Sequence, residues 1–205
     1  MNARDEVLER IRRAHGDGHR AGEIPRNYRG PVGLGSSDLF AQRLQDYRAI
    51  VKRLTSGEVA IELQESLVRR GVTRVMVPEG VAPGWLAHVS ASVVSDSPDL
   101  STAQLDQLDG VITTCSVAIA ETGTIVLTHG AGQGRRALTL VPDYHLVVVY
   151  ESQVLSGVPD AIGALDPTLP MTWISGPSAT SDIELIRVEG VHGPRTLEVL
   201  VVSGT

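Results

Sequence analysis

The residues best suited to chemistry stand in the turn at 120–124, where a carboxylate directly precedes Thr-Gly-Thr. The pattern predicts that one strand ends before this turn and that another begins at Thr124. Ligands of open α/β sheets gather at the carboxyl ends of strands. Glu121 is therefore a candidate acid, base or nucleophile, Thr122 and Thr124 offer hydroxyls, and Gly123 lets a ligand approach the backbone. Alternatively, Glu121 caps a helix or pairs with an arginine.

A glycine-rich segment with two arginines, residues 130–136, is the second candidate. Backbone amides and the guanidinium groups of Arg135 and Arg136 suit a phosphate or carboxylate. The segment is neither a dinucleotide fingerprint nor a P-loop, because residues 137–141 read as a strand and no Lys-Ser/Thr pair follows the glycines. The alternative is a long, mobile hairpin loop.

Two histidines are further candidates. His145 follows Asp143 and precedes an apolar run, so it is either an acid/base oriented by Asp143 or a polar residue satisfied at a strand entrance. His192 lies in a tight turn with Arg195 and is a weaker candidate.

The segment 175–182 places hydroxyl groups between two predicted strands. These hydroxyls and the backbone amides are suited to holding a polar ligand, unless the Ser and Asp side chains only bond their own backbone. The candidate ligand-binding residues of this segment are Ser175, Gly176, Ser178, Thr180 and Asp182.

Composition excludes several classes of function. One cysteine, Cys115, permits no intrachain disulfide, and the six dispersed histidines show no metal-ligand spacing, so no metal site is expected. The net charge of −6 argues against a nucleic-acid surface. The charged N-terminus and the absence of an apolar run of about 20 residues predict a cytoplasmic protein without a membrane span.

The elements that must position these residues fall into two parts. Residues 1–57 read as an N-terminal arm and linker, a lid or oligomer arm that makes a homo-oligomer possible. Its first helix is followed by a connector at 16–36 and a second helix. The apolar residues of that second helix recur at steps of three and four; they are Phe40, Leu44, Tyr47, Val51 and Leu54.

Residues 58–205 read as an α/β domain in which short strands and helices alternate. Such alternation implies parallel βαβ units with right-handed crossovers. Strands become denser after Glu121, so the predicted sheet is mixed, parallel first and partly antiparallel later. The later strands are predicted at 124–128, 137–141, 146–150, 171–175, 183–188 and 196–202.

Four segments, in this order, resemble the lactate utilization protein C family, also called the LUD domain. They are residues 120–124, 140–145, 174–178 with 182–184, and 190–194. The resemblance covers nearly the whole chain, most firmly from Gly110 onward. It implies a Rossmann-like three-layer sandwich similar to the ribose-phosphate isomerase and coenzyme A transferase group.

The resemblance also implies a role in the bacterial oxidation of L-lactate to pyruvate, in which iron–sulfur clusters lie on partner proteins. With one cysteine, this chain is expected to carry no such cluster. Two hypotheses follow. The chain is a non-redox component of a lactate-oxidising complex, or it is a separate enzyme or binding domain for a small anion such as a carboxylate, sugar phosphate or acyl thioester. In the second, Glu121 is the acid/base or nucleophile and Arg135 and Arg136 hold the anion.

Overall fold

The computed structural model describes residues 3–15, 25–27, 29–181, 187–189 and 193–204, with the backbone alone at 15, 179–181 and 187–189. Its strands are β1 Ile50–Thr55, β2 Arg74–Val77, β3 Ser92–Ser95, β4 Gly110–Thr113, β5 Val117–Ile119, β6 Thr124–Leu127, β7 Tyr144–Tyr150, β8 Val154–Leu155, β9 Thr172–Ile174, β10 Ala179–Ser181, β11 Arg187–Glu189 and β12 Thr196–Ser203. Its helices are α1 Ala3–His15, α2 Ser37–Asp46, α3 Val59–Arg69, α4 Thr102–Leu105 and α5 Val158–Ala164.

A six-stranded sheet in the order β1-β12-β7-β4-β2-β3 lies at the centre, and every neighbouring pair in it is parallel. The inner strand β7 reads Tyr-His-Leu-Val-Val-Val-Tyr and is buried along nearly its whole length. Such a run without polar alternation is typical of a parallel strand covered on both faces.

A second sheet of four strands, in the order β8-β5-β6-β9, packs against the first. Its β5–β6 and β6–β9 pairs are antiparallel, whereas β5 and β8 are parallel. Strands β10 and β11 form a separate antiparallel hairpin.

Alternation along β7 divides the core into two layers. Val147 and Val149 pack with the second sheet and with Phe40 of α2. Leu146 and Val148 face the other way and pack with the apolar side of α3. Helix α5 packs against the second sheet through Ala161. The predicted α/β class is therefore confirmed, with a parallel-dominated arrangement flanked by helices.

The second helix predicted in the arm is wrong beyond Asp46. Arg48 adopts a φ of 67°, which ends the helix, and the next residues form β1 at the edge of the main sheet. Val51 and Leu54 continue the helical spacing of α2 by coincidence, because they lie in a strand registered with β12. Both α2 and β1 thus pack with the main sheet, although both lie within residues 1–57, the segment predicted as an N-terminal arm and linker.

Two predictions for the later strands also need correction. Residues Arg136–Thr139 form a 3-10 turn and not a strand, with Leu138 buried and Leu140 exposed. The late strands β7 and β12 join the parallel sheet, and the antiparallel pairs lie outside it. The strand predicted at 183–188 lies mostly outside the described residues. No helix in the described part of the chain is long and apolar enough to cross a bilayer.

Candidate functional site

Five of the predicted site residues line one cleft of about 290 Å³, here called the His145 cleft. It lies at the amino ends of β7 and β12, beside the turn Arg136–Thr139 and the loop that follows β9. The five residues are Arg136, His145, Ser175, Gly176 and Ser178. Segments distant in sequence therefore converge at this cleft.

His145 is the most deeply placed polar residue of the cleft, with 1 % of its surface exposed. It stands between Val111 of β4 and Leu197 of β12 in the sheet register. Its Nε2 lies 2.8 Å from Oγ1 of Thr113, and its Nδ1 has no hydrogen-bonding partner among the described residues. Burial lowers the pKa of His145 to about 3, so the imidazole is neutral at physiological pH.

Arg136 supplies a positive charge at the rim of the cleft. It begins the 3-10 turn and is exposed, and its guanidinium makes no hydrogen bond or ion pair with the part of the chain that the structure describes. The hydroxyl of Thr139 donates to the Arg136 carbonyl at 3.2 Å, which fixes the turn. The guanidinium is therefore available to an anion.

A chain of hydroxyl groups connects the turn at 120–124 with the cleft. Oγ1 of Thr122 lies 2.7 Å from Oγ1 of Thr124, which lies 2.8 Å from Oγ of Ser175. Gly123 has a φ of 60°, and a Cβ there would meet Arg43 of α2 at 2.7 Å. Helix α2, and not an open cleft, thus occupies the space beside Gly123.

Glu121 lies elsewhere, in a second cleft of about 320 Å³ that shares no lining residue with the first. Its two carboxylate oxygens accept hydrogen bonds from Nη2 of Arg29 at 2.8 and 3.0 Å. In the same cleft Asp160 accepts from the amides of Val32 and Gly33, which lowers its pKa. The ion pair with an arginine is the alternative that the sequence left open for Glu121.

Arg135 differs from Arg136 in its contacts. Its Nε donates to Asp96 at 3.0 Å, and its Nη2 donates to the carbonyls of Ser97 and Leu100. Arg135 thereby holds the segment that precedes α4 in place. It does not line the His145 cleft.

The glycine-rich segment fills a crevice of the main sheet. In the main sheet β3 lies on one side of β2, and β4, which follows β3 in the chain, lies on the other side of β2. The carboxyl ends of β2 and β4 therefore border a topological switch point. There the backbone amide of Gly132 donates to the backbone carbonyl of Glu79 at 2.6 Å. The carbonyl of Gly132 accepts from the backbone amide of Thr114 at 2.8 Å. The buried Gln133 also accepts from the amide of Thr128. The position where α/β folds commonly bind ligands is thus occupied by the chain itself.

Other polar residues of the interior are not among the candidates predicted from the sequence. Thr113, which contacts His145, and Thr139, which lines the cleft, are nearly fully buried. Glu198 is also buried and accepts hydrogen bonds from Ser66 and from Tyr144. The only sequence signal for Glu198 is a carboxylate inside the apolar run of β12.

Three predicted residues remain without a described side chain. Thr180 lies in β10, where only the backbone is described, and Asp182 and His192 lie outside the described residues. Within the described ranges, no group of three or more His, Cys, Asp or Glu side chains is arranged to hold a metal ion.

Several known proteins are similar to this chain. The protein named Lactate utilization protein C of Deinococcus radiodurans is 44 % identical, over 98 % of this chain and 96 % of its own length. A protein of the same name from Shouchella clausii is 28 % identical over 74 % of this chain and 72 % of its own length. A crystal structure of a DUF162 family protein from Deinococcus radiodurans superposes with a TM-score of 0.68 at 39 % identity, covering 80 % of this chain and 94 % of that one.

The family model described as LUD domain matches residues 38–202, a span that includes all but the first residue of α2, all but the last residue of β12 and every described residue of the His145 cleft. The chain therefore belongs to the LUD domain family.

Proposed function

We propose that this protein is a cytosolic component of bacterial L-lactate utilization, acting with iron–sulfur partner proteins in the oxidation of L-lactate to pyruvate. The observation that carries the proposal is the 44 % identity, along nearly the whole chain, to a protein named Lactate utilization protein C. The fold match to a DUF162 family protein at 39 % identity supports the same relationship.

The single cysteine of the chain supports a non-redox role within such a complex. Iron–sulfur clusters are held by several cysteine thiolates, and this chain has only Cys115. Cys115 is buried, and burial raises the pKa of its thiol to about 12, which suppresses the thiolate. Electrons from lactate would therefore pass through the partners.

Gene deletion tests this proposal. A strain that lacks the gene should fail to grow on L-lactate, should grow normally on pyruvate, and should recover on lactate when the wild-type gene is restored. The tagged protein should also co-purify with the iron–sulfur partners. Normal growth of the deletion strain on lactate, together with no co-purification, would refute the proposal.

A second candidate function is that of a separate enzyme or binding domain for a small anion, whether a carboxylate, a sugar phosphate or an acyl thioester. The Arg136 guanidinium, which has no partner in the described part of the chain, lines the same cleft as the buried His145 and favours it. Glu121, its predicted acid/base, lies in the other cleft and pairs with Arg29. If a Glu121→Gln variant folds and keeps the full activity of the wild type toward the small anion, Glu121 has no role in this mechanism.

A further inference from the structure

We propose that the His145 cleft binds a short-chain monocarboxylate with an oxygen on the second carbon, that is, a 2-hydroxy or 2-oxo acid. This inference rests on the proposed role in lactate utilization, and it assigns the ligand class to one cleft of the molecule.

The charge of the cleft fits a single carboxylate. Arg136 is the one charged side chain among the described lining residues, and no described acidic side chain opposes it. A guanidinium holds a carboxylate through two parallel hydrogen bonds. Phosphate esters carry nearly two charges, so a lone arginine matches a monocarboxylate better.

The buried polar groups of the His145 cleft suit a ligand that has an oxygen on the carbon next to its carboxylate. Nδ1 of the buried His145 has no partner in the described ranges, although buried polar atoms are nearly always hydrogen-bonded. A neutral imidazole can donate to a 2-oxo group or accept from a 2-hydroxyl group, depending on its tautomer. The hydroxyls of Thr139 and Ser175 lie in the same lining. Each already has one partner, the Arg136 carbonyl and Oγ1 of Thr124 respectively, and its oxygen can still accept from a 2-hydroxyl group.

The size and the apolar wall of the cleft are compatible with a ligand of a few carbons. About 290 Å³ is at the small end of the range of ligand sites. Leu140, Ile174 and Leu197 line the cleft beside its polar groups. A short aliphatic chain fits against these side chains.

Calorimetric titration of the full chain with L-lactate, pyruvate, propionate and inorganic phosphate tests the inference. Lactate or pyruvate should bind more tightly than propionate, by about fivefold, because propionate leaves the buried polar groups unpaired. Arg136→Gln should weaken binding by at least about tenfold. The matched control Arg74→Gln makes the same change at an exposed arginine outside the cleft lining, and its affinity should equal that of the wild type.

Three results would overturn the inference: unchanged affinity in Arg136→Gln, tighter binding of phosphate than of either acid, or no binding of either acid by the wild type. Growth of the complemented deletion strain separates the two proposals. If the wild-type gene restores growth on lactate but the protein binds neither acid, only the ligand assignment fails. If the protein binds the acids but deletion leaves growth intact and no iron–sulfur partner co-purifies, the proposed function fails.

Discussion

At the scale of single residues, the adjacent arginines Arg135 and Arg136 have different partners although their sequence context is the same. The Arg135 guanidinium donates to Asp96 and to two backbone carbonyls, whereas the Arg136 guanidinium has no partner in the described residues. The sequence predicted an anion ligand at both positions. It could not separate them, because the difference arises from a turn that begins at Arg136 and points consecutive side chains in different directions.

This difference predicts that the same substitution changes stability by different amounts at the two positions. Arg135→Gln should lower the free energy of unfolding by about 1–2 kcal/mol, because charge-assisted hydrogen bonds to the chain are lost. Arg136→Gln should change it by less than about 0.5 kcal/mol, as expected for a surface site without such contacts. Urea unfolding of both variants measures this, and equal losses would contradict the assignment of Arg135 as the structural arginine.

The neutral state of His145 predicts a pH dependence of stability. Its pKa is lowered to about 3, below the ordinary value of 6.5, so the folded state binds fewer protons than the unfolded state at acidic pH. Stability should therefore be highest above pH 6.5 and fall as the pH decreases. The expected loss from this group is about 2 kcal/mol between pH 7.5 and pH 5.

Urea unfolding across this pH range checks the prediction. His145→Gln keeps a partner for Thr113 and should remove most of the loss, whereas His88→Gln, at an exposed position, should retain it. An undiminished slope in His145→Gln would show that other groups cause the pH dependence.

At the scale of elements, the glycine-rich loop explains why the switch-point crevice is closed. Gly132 has a φ of 74°, and a Cβ there would lie 2.5 Å from Oγ1 of Thr114. Gly132→Ala should cost about 2–4 kcal/mol of stability, because positive φ and overpacking add. Gly130→Ala is the matched control: its nearest neighbour is 3.9 Å away, and stability should change by less than about 1 kcal/mol.

Thermal or urea unfolding of the two alanine variants tests the packing of this loop. Equal stability of both variants would indicate that the loop does not fill the crevice in solution.

The elements that can be predicted well from the sequence are those with strong local signals. Ser36 caps α2 through its side chain, and the buried strands β2 and β4 follow from short apolar runs bounded by turns. The failures lie where spacing is ambiguous. Val51 and Leu54 fit a helix and an edge strand equally well, and burial against β12 decides between them. The short strands β5 and β8 carry too few residues for a periodic signal.

At the scale of the whole molecule, the His145 cleft depends on how the two sheets pack. His145 comes from the parallel sheet, Ser175 follows β9 of the second sheet, and Arg136 comes from the connection between the sheets. The sequence identified these side chains as candidates but not their convergence, which is a tertiary property. It also favoured carboxyl strand ends, whereas this cleft lies at the amino ends of β7 and β12.

The most direct test of the account is a crystal structure of the protein with bound L-lactate or pyruvate. We predict that the ligand carboxylate contacts the Arg136 guanidinium and that the oxygen on the second carbon lies within hydrogen-bonding distance of His145. Neither contact should form with Glu121. A ligand bound at the cleft of Glu121 and Arg29, with the His145 cleft containing only solvent, would contradict the account.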